Sequence, residues 1–141
     1  MDKNLLKIDT FLQNHHVLSL ATTYKDELSV CSLFYTYTKE ENSFIVASET
    51  KTTHIQHIQQ NQKVAGNIVL ETKIVGKIQG VQFKGNFTEL QDSELKKLYF
   101  KKFPYAKILS PKLWQIKIKY FKMTDNSLGF GKKLIWSSKY I

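Results

Sequence analysis

Apolar residues in the first part of the chain follow a helical spacing and then change to the alternation of β-strands. Leu5, Ile8 and Phe11 lie three residues apart, which predicts an amphipathic helix over residues 3–14. After residue 16, short β-branched or aromatic runs are separated by polar segments, a pattern typical of an antiparallel meander. The three predicted strands of this meander cover residues 17–23, 28–38 and 44–48.

The second predicted strand carries apolar side chains on both of its faces. Leu28, Val30 and Phe34 take alternate positions on one face, while Leu33 and Tyr35 lie on the other. We therefore expect this strand to be covered on both sides.

After the meander, the pattern predicts a short helix and two further strands. Residues 51–61 return to helical spacing, with Thr50 or Thr52 in position to cap the helix. The run over residues 73–90 is predicted as one long strand, and its glycines indicate bulges or bends of the kind that close a small barrel. These glycines are Gly76, Gly80 and Gly85, and the preceding strand covers residues 64–70.

The last third of the chain contains a capped helix and a half-exposed strand. Asp92 is the predicted N-cap of a helix that Pro104 ends. Residues 114–123 alternate between apolar and polar side chains, which predicts a strand with one solvated face. Residues 126–131 form a predicted turn. Residues 134–136 either form a final strand or make a contact as part of the tail.

The order of these elements favours a mainly β fold, because the helices do not alternate regularly with the strands. About six strands with peripheral short α-helices are typical of a closed or nearly closed antiparallel barrel. The length of 141 residues matches one ordinary domain, so we expect a single domain over residues 1–141. The single cysteine, Cys31, excludes an intramolecular disulfide, and no apolar run approaches the ~20 residues of a membrane helix. We expect a cytoplasmic protein with no membrane as a partner.

The net charge of +9 is confined to the last third of the chain. Residues 1–90 contain nine lysines and nine acidic residues, whereas residues 91–141 contain twelve lysines and three acidic residues. Such asymmetry can mark a nucleic-acid surface. All 21 basic residues are lysine, however, and none is the arginine that makes bidentate contacts to phosphate or guanine. The composition therefore disfavours nucleic acid as a partner.

The segment from Ser48 to His54 has the chemistry of a phosphate site. It joins a predicted strand to a predicted helix and concentrates hydroxyl groups, Lys51 and a histidine at the helix N-terminus. Free N–H groups of the first turn and the positive end of the helix dipole favour an anion there. Threonine and serine are also ordinary helix caps, so both interpretations stay open at this point.

Two further segments suggest ligand contacts. Gln82 lies between two glycines of a predicted barrel strand, and its amide suits the edge of a planar heteroaromatic ring, although such a residue can equally face solvent. The string Leu-Gly-Phe-Gly-Lys-Lys at residues 128–133 lacks the spacing of a nucleotide-binding Walker loop. We interpret it as a turn with a basic tail that reaches a ligand.

The histidines and the cysteine do not form a catalytic or metal-binding pattern. His54 and His57 share a helical face, but no third ligand is close in the sequence, so we predict no metal site. Cys31 lies in the middle of a strand, where a thiol is ordinarily an inert core residue. The acidic residues are scattered over loops and helix starts rather than paired.

Several strings resemble the FMN-binding split-barrel superfamily related to pyridoxamine-phosphate oxidase. The broad resemblance rests on residues 18–22, 33–35, 44–54 and 78–85. More narrowly, Gly-Val-Gln-Phe-Lys-Gly at residues 80–85 and the string from Thr124 to Trp136 resemble the functionally uncharacterised YhbP-like family of bacteria.

This resemblance implies a six-stranded Greek-key barrel that forms a homodimer, with two FMN sites in the clefts between the subunits. It implies that the strand around Phe34 and Tyr35 lies along the isoalloxazine ring. It also implies that Gln82, Lys132 and Lys133 approach from the opposite subunit or line the substrate side. The resemblance also implies that the phosphate is held by Ser48, Lys51, Thr52, Thr53 and His54.

One departure from the family pattern concerns the phosphate. Where many relatives place an arginine in this loop, the chain has Thr53, and it contains no arginine elsewhere. Loss of a bidentate charged clamp costs about 1–3 kcal/mol, so we expect weak binding of FMN that depends on Lys51 and the helix N-terminus.

Three functions are compatible with this reading. The first is a flavin-dependent oxidoreductase or flavin reductase acting on an unknown small molecule, in which FMN carries the electrons and catalytic side chains are not identified. The second is a non-catalytic carrier or sensor of flavin, or of haem bound through a histidine. The third is a nucleic-acid-binding barrel that uses the basic last third together with Phe100, Phe103, Tyr105, Trp114 and Tyr120.

Overall fold

The structure, a computed structural model, describes residues 2–138, which form seven antiparallel strands and three α-helices. The helices are α1 (Lys3–Gln13), α2 (Thr53–Gln60) and α3 (Ser93–Lys102). The strands are β1 (Val17–Tyr24), β2 (Glu27–Thr38), β3 (Ser43–Ala47), β4 (Lys63–Val69), β5 (Gln79–Glu89), β6 (Leu113–Asp125) and β7 (Lys133–Ser137). Short 3-10 turns cover Val75–Lys77, Pro104–Leu109 and Asn126–Leu128.

The first six strands close into a Greek-key barrel. The strand order is β3-β2-β1-β4-β5-β6-β7, and β3 also pairs with β6. In a Greek key the fourth strand returns to lie beside the first, as β4 does beside β1. The predicted mainly β, six-stranded barrel is therefore confirmed. The sheet as a whole has one strand more than predicted. A seventh strand, β7, pairs with the second half of β6, which settles the open interpretation of residues 134–136.

Side-chain caps define where the helices begin. The Asp92 carboxylate accepts hydrogen bonds from two backbone N–H groups of α3, which confirms the predicted cap. Of the two candidates for α2, Thr52 is the cap, because its hydroxyl oxygen accepts from the N–H of Ile55. Thr52 is extended rather than helical, so α2 begins at Thr53 and is shorter than the sequence predicted.

The prediction of one strand over residues 73–90 is wrong at its start. Pairing between β4 and β5 ends at Val69 and Gly80, and β5 begins only at Gln79. Residues 71–78 therefore have no neighbouring strand and fold on themselves, with the N–H of Lys77 donating to the carbonyl of Ile74. The apolar residues that gave this segment a strand-like pattern point towards solvent.

The barrel bends at Gly85, as predicted, but the other two glycines have no such role. The register between β5 and β6 shifts between Lys84 and Gly85. A Cβ atom at Gly85 would overlap the carbonyl oxygen of Lys117, so only glycine permits this approach of the two strands. Gly76 lies in the open loop with no neighbour within 4 Å.

Aromatic side chains fill the barrel, and helices close its ends. Tyr35, Phe44 and Phe83 are fully buried in one continuous core, to which α1 contributes Leu12. A second, smaller cluster lies beneath α3 and contains Ile45, Leu90, Leu95, Tyr99 and Leu113. No helix within residues 2–138 is long and apolar enough to cross a bilayer.

The expectation that β2 is covered on both sides is met in part within residues 2–138. Helices α1 and α2 contact β2 from its inner face. On the other face, Thr36 and Thr38 are buried, whereas Leu28 is 82% exposed, Val30 75% and Phe34 58%. Only the tertiary structure shows that the first half of this face has no covering element among the described residues.

Candidate functional site

Outward-pointing residues of five neighbouring strands form a broad surface, which we call the outer face. One row across this face runs from β2 to β6 and is small and apolar at its centre, where Ala21 lies opposite Ala65. We call this row the apolar row after its centre, and it consists of Val30, Ala21, Ala65, Lys84 and Tyr120. The next row, two residues along each strand, is the polar row and consists of Ser32, Ser19, Asn67, Gln82 and Lys122.

A groove of about 620 Å³ lies over the apolar row and extends towards the β1–β2 turn. Ala21, Leu28 and Ala65 give it an apolar floor. Its lining also includes three lysines, Lys63, Lys84 and Lys119, and no acidic residue. A groove of this size and lining suits a flat, largely apolar ligand that carries negative charge.

A second cavity, of about 400 Å³, lies along one side of α2, from Thr53 at its start to Gln60 at its end. Tyr24 and Glu27 of the β1–β2 turn line the opposite side of this cavity. The groove is lined by residues that flank the same turn in the sequence. Thr53, which belongs to the predicted phosphate segment, therefore lies in a cavity that reaches the same turn as the groove.

Three of the predicted phosphate-binding side chains bond to each other or to the local backbone. The Ser48 hydroxyl lies 2.6 Å from Nε2 of His54. The Thr52 hydroxyl donates to the carbonyl of Glu49 and caps α2. These side chains shape the loop, whereas Lys51 and Thr53 are the ones that can reach a ligand. Lys51 is 85% exposed at its side chain and lies 3.4 Å from the Glu49 carboxylate.

The structure places His54, which the resemblance implies around the phosphate, inside the fold. The residue is buried, and burial, with a smaller contribution from His57, holds the pKa of His54 below its ordinary value. The imidazole is therefore neutral near pH 7 and engaged with Ser48. Backbone N–H groups in the first turn of α2 remain the natural partners of an anion here.

Of Phe34 and Tyr35, the structure places only one side chain on the outer face. Phe34 lies on the outer face beside Val17 of β1. Tyr35 points into the barrel, where its hydroxyl donates to the carbonyl of Leu12 over 2.8 Å. Because adjacent residues of a strand face opposite sides, only one of the pair can meet a ligand on the outer face.

The structure brings Gln82 and the basic tail to the same part of the outer face. Gln82 is exposed in the polar row. Lys133 begins β7, and its Nζ donates to the Thr124 hydroxyl over 3.0 Å. Thr124 pairs with Gly80, two residues from Gln82 along β5. Lys132 lies in the turn just before β7. These groups lie towards the end of the outer face that is remote from the phosphate segment.

A buried side-chain relay supports the phosphate segment, and the sequence analysis missed it. Nδ1 of His57 lies 2.9 Å from the Thr22 hydroxyl, and its Nε2 lies 3.2 Å from the Glu27 carboxylate. Because a carboxylate only accepts, the His57 ring donates from Nε2 to Glu27, and its Nδ1 lies within hydrogen-bond distance of the Thr22 hydroxyl. The relay holds α2 against the β1–β2 turn. His57 lies 35 positions from Thr22 and 30 from Glu27, so no local sequence signal could reveal the relay.

Two other histidines have unengaged rings. Within residues 2–138, neither His15 nor His16 makes a side-chain hydrogen bond, although His15 stacks on Phe11 at 4.1 Å between ring centroids. Burial, together with His16 and Lys102, lowers the pKa of His15. It therefore stays neutral, the form in which imidazole binds a metal ion. No group of three potential metal ligands converges in the described residues.

The aromatic residues considered for nucleic-acid binding do not form an exposed stacking surface. Trp114 is buried, and its indole N–H donates to the carbonyl of Ser48. Phe100 and Phe103 pack against the cluster beneath α3. Of the five aromatic residues, Tyr105 alone is strongly exposed. Single-strand binding requires several such rings in series, so the geometry disfavours that function.

No protein-family model matches the chain. A UPF0306 protein from Klebsiella pneumoniae is 39% identical over 135 residues, which are 94% of this chain and 92% of that protein. The chain belongs to the UPF0306 family. Another UPF0306 protein, YhbP of Escherichia fergusonii, is 37% identical over 137 residues, covering 95% of this chain and 93% of that protein. These relatives confirm the YhbP-like resemblance of the sequence.

Solved structures share the fold of this UPF0306 chain at low sequence identity. A haem-binding protein from Mycobacterium smegmatis superposes with a TM-score of 0.79 at 12% identity, covering 97% of this chain and 59% of that one. An FAD-binding protein from Mesorhizobium loti gives 0.70 at 17% identity, covering 84% and 90%. The haem storage protein HutZ of Vibrio cholerae gives 0.68 at 15%, covering 81% and 89%. The UPF0306 fold is thus the split barrel found in flavin- and haem-binding proteins.

Proposed function

We propose that this protein binds FMN on the outer face as a cytoplasmic homodimer, and acts as a flavin-dependent oxidoreductase or flavin reductase on a small molecule. One observation carries the proposal: the groove of the outer face has an apolar floor, three lysines and a polar row beside it, and the cavity along α2, which Thr53 lines, reaches the same β1–β2 turn. That arrangement suits a ligand with a phosphate at one end and a planar heteroaromatic ring at the other.

The phosphate end fits the N-terminus of α2. Thr53 lines the cavity, and Lys51 belongs to the loop that enters the helix. Glu49 lies 3.4 Å from the Lys51 amine and competes with a phosphate for it. Since the chain has no arginine, this lysine and the first-turn N–H groups carry the interaction, which should be weaker than in a site with a bidentate clamp.

The ring end fits the two rows of the outer face. The small side chains Ala21 and Ala65 let a flat ring approach the sheet closely. Asn67 and Gln82 offer amide donors and acceptors for the polar edge of the ring. From the β1–β2 turn to the opposite end of β1 the face extends about 25 Å, at ~3.3 Å per residue, which leaves room for a second molecule near Lys132 and Lys133.

Bound FMN would supply the electron transfer, and this chain would supply binding and orientation. No side chain on the outer face is needed as an acid or base for that role. The likeness to an FAD-binding protein from Mesorhizobium loti supports flavin as the class of cofactor. The substrate is a small molecule that shares the groove with the ring.

Titration with FMN tests the proposal, with flavin fluorescence and melting temperature as readouts. We expect quenching and a rise in melting temperature for the wild type, and loss of both in the double variant Lys51→Ala, Thr53→Ala. Each charged hydrogen bond removed should weaken the binding free energy of FMN by about 1–3 kcal/mol. Glu49→Gln is expected to tighten binding, because it removes the carboxylate that neutralises Lys51.

The double variant Lys3→Ala, Thr10→Ala on the exposed side of α1 is the matched control, and it should bind FMN like the wild type. Absence of any FMN binding by the wild type would overturn the proposal. If FMN binds, rapid reduction of the bound flavin by a nicotinamide cofactor and its reoxidation would favour the enzyme over a carrier.

A haem carrier is the second candidate, and the free rings of His15 and His16 favour it. The other two histidines are hydrogen-bonded inside the fold, so haem ligation falls to this pair. The likeness to the haem storage protein HutZ supports the class of ligand. Two results together would select this function instead. The protein would bind no FMN, and with haem it would give a Soret band that His15→Ala or His16→Ala shifts.

A further inference from the structure

The 3-10 turn after α3 presents three large apolar side chains to solvent. Within Pro104–Leu109, Tyr105 is 85% exposed, Ile108 80% and Leu109 81%. These three residues are the apolar tip. Isolated exposed apolar residues are common on soluble proteins, but three adjacent ones with so little cover mark a contact surface.

The apolar tip is held rigidly rather than exposed by disorder. Phe103 and Ala106, on the other side of the turn, pack against the cluster beneath α3. The N–H of Ala106 donates to the carbonyl of Phe103, and the N–H of Ser110 donates to that of Lys107. Ser110 adopts the left-handed conformation, with φ at 45°, to end the turn. The fold therefore presents these side chains outwards at some cost in backbone strain.

The sequence on both sides of the apolar tip is rich in lysine. Six lysines and one acidic residue, Glu94, lie between residues 93 and 112. Three of the lysines already have partners, because Lys97 pairs with Glu94, Lys112 pairs with Glu89, and Lys102 donates to the carbonyl of His15. The other three are exposed and make no ion pair within residues 2–138: Lys96, Lys101 and Lys107.

We propose that the apolar tip inserts into the headgroup region of a bilayer that contains anionic lipids, while the lysines near it in the sequence contact the lipid phosphates. A basic surface with protruding aliphatic and aromatic side chains has the two components of interfacial binding, burial of apolar area and attraction to a negative surface. From the sequence we expected no membrane partner, because no apolar run is long enough to span a bilayer. Peripheral binding needs no spanning segment, and the sequence pattern did not reveal which apolar residues are exposed.

The side chains favour a lipid surface over the other partners of a basic patch. Nucleic acid prefers aromatic rings that stack on bases, and two of the three tip residues, Ile108 and Leu109, are aliphatic. Contact between the tips of two copies would bring both sets of unpaired lysines together, which like-charge repulsion opposes. An anionic bilayer satisfies the lysines and the aliphatic groups at once.

Vesicle co-sedimentation tests this proposal on the full chain. Vesicles of phosphatidylcholine alone are compared with vesicles in which phosphatidylglycerol replaces about a third of the lipid. We expect the anionic vesicles to bind about tenfold more protein, and we expect high salt to reduce this binding. Ile108→Ser with Leu109→Ser, and separately Lys101→Gln with Lys107→Gln, should each lower binding about tenfold.

Val75→Ser, on another exposed loop, and Lys3→Gln with Lys7→Gln on α1 are the matched controls, expected to bind like the wild type. Equal binding to both kinds of vesicle, or none, would overturn the proposal. So would a tip variant that binds vesicles normally. A tip variant that instead becomes a monomer would also overturn it and assign the tip to contact between copies. Circular dichroism of each variant verifies that the fold is intact.

Discussion

At the scale of single residues, local hydrogen bonds decide which groups of the phosphate segment can reach a ligand. Ser48 and His54 bond to each other, and Thr52 caps α2. Lys51 and Thr53 are left for an anion. The sequence identified the segment as a whole, since its residue types are polar and precede a helix. The division of roles depends on distances of a few ångströms that residue types do not encode.

The titration of His54 yields a prediction at this scale. Burial lowers the pKa of His54 in the folded protein, so the unfolded chain binds the proton more readily. The stability that depends on the neutral ring is complete above the ordinary histidine pKa of about 6.5 and is lost as the pH falls through the lower folded value. Urea denaturation should therefore show less stability near pH ~5 than near pH ~8.

The variant His54→Gln should flatten this pH dependence, because the amide does not titrate. His16→Gln is the control variant, because it makes the same substitution at an exposed histidine. Equal slopes in wild type and His54→Gln would show that another group governs the acid response.

At the scale of the elements, close packing of strands explains which glycine the barrel needs. Hydrophobic alternation located most strands, and Gly85 was correctly expected at a bend. The same reasoning failed for Gly76, because a loop without a partner strand can carry the same apolar residues as a strand. Pairing partners, rather than local pattern, distinguish the two cases.

We predict that Gly85→Ala destabilises the protein by about 1–3 kcal/mol or more, since a Cβ atom there would overlap the Lys117 carbonyl oxygen. Gly76→Ala should change the free energy of unfolding little, because nothing lies within 4 Å of its added Cβ. The midpoints of urea denaturation measure both. A Gly85→Ala variant as stable as the Gly76→Ala variant would contradict the close approach of β5 and β6.

At the scale of the whole molecule, the uncovered outer face points to a second copy of the chain. Leu28, Val30 and Phe34 are more exposed than the apolar residues of an ordinary monomer surface, and they continue the groove assigned to FMN. A homodimer that buries this face would enclose the cofactor at the same time. In our proposals the apolar tip contacts a lipid bilayer rather than a second copy of the chain.

Sedimentation velocity tests the homodimer. The wild type should sediment as a dimer, and Val30→Lys should sediment as a monomer, because the charge would be buried without a partner in the interface. Val75→Lys is the matched control, with a valine that is also exposed but lies off the outer face, and it should remain dimeric. Persistence of the dimer in Val30→Lys would place the contact elsewhere.

The sequence by itself determined most element types, the cap of α3, the mainly β barrel and the family, because periodicity, capping chemistry and rare strings are local properties. Only the tertiary structure decided which side of β2 is open, that Tyr35 is internal, and that Thr22, His57 and Glu27 form one relay. It also decided that β3 closes the barrel on β6. These features depend on contacts between residues far apart in the chain, and burial is a property of the folded whole.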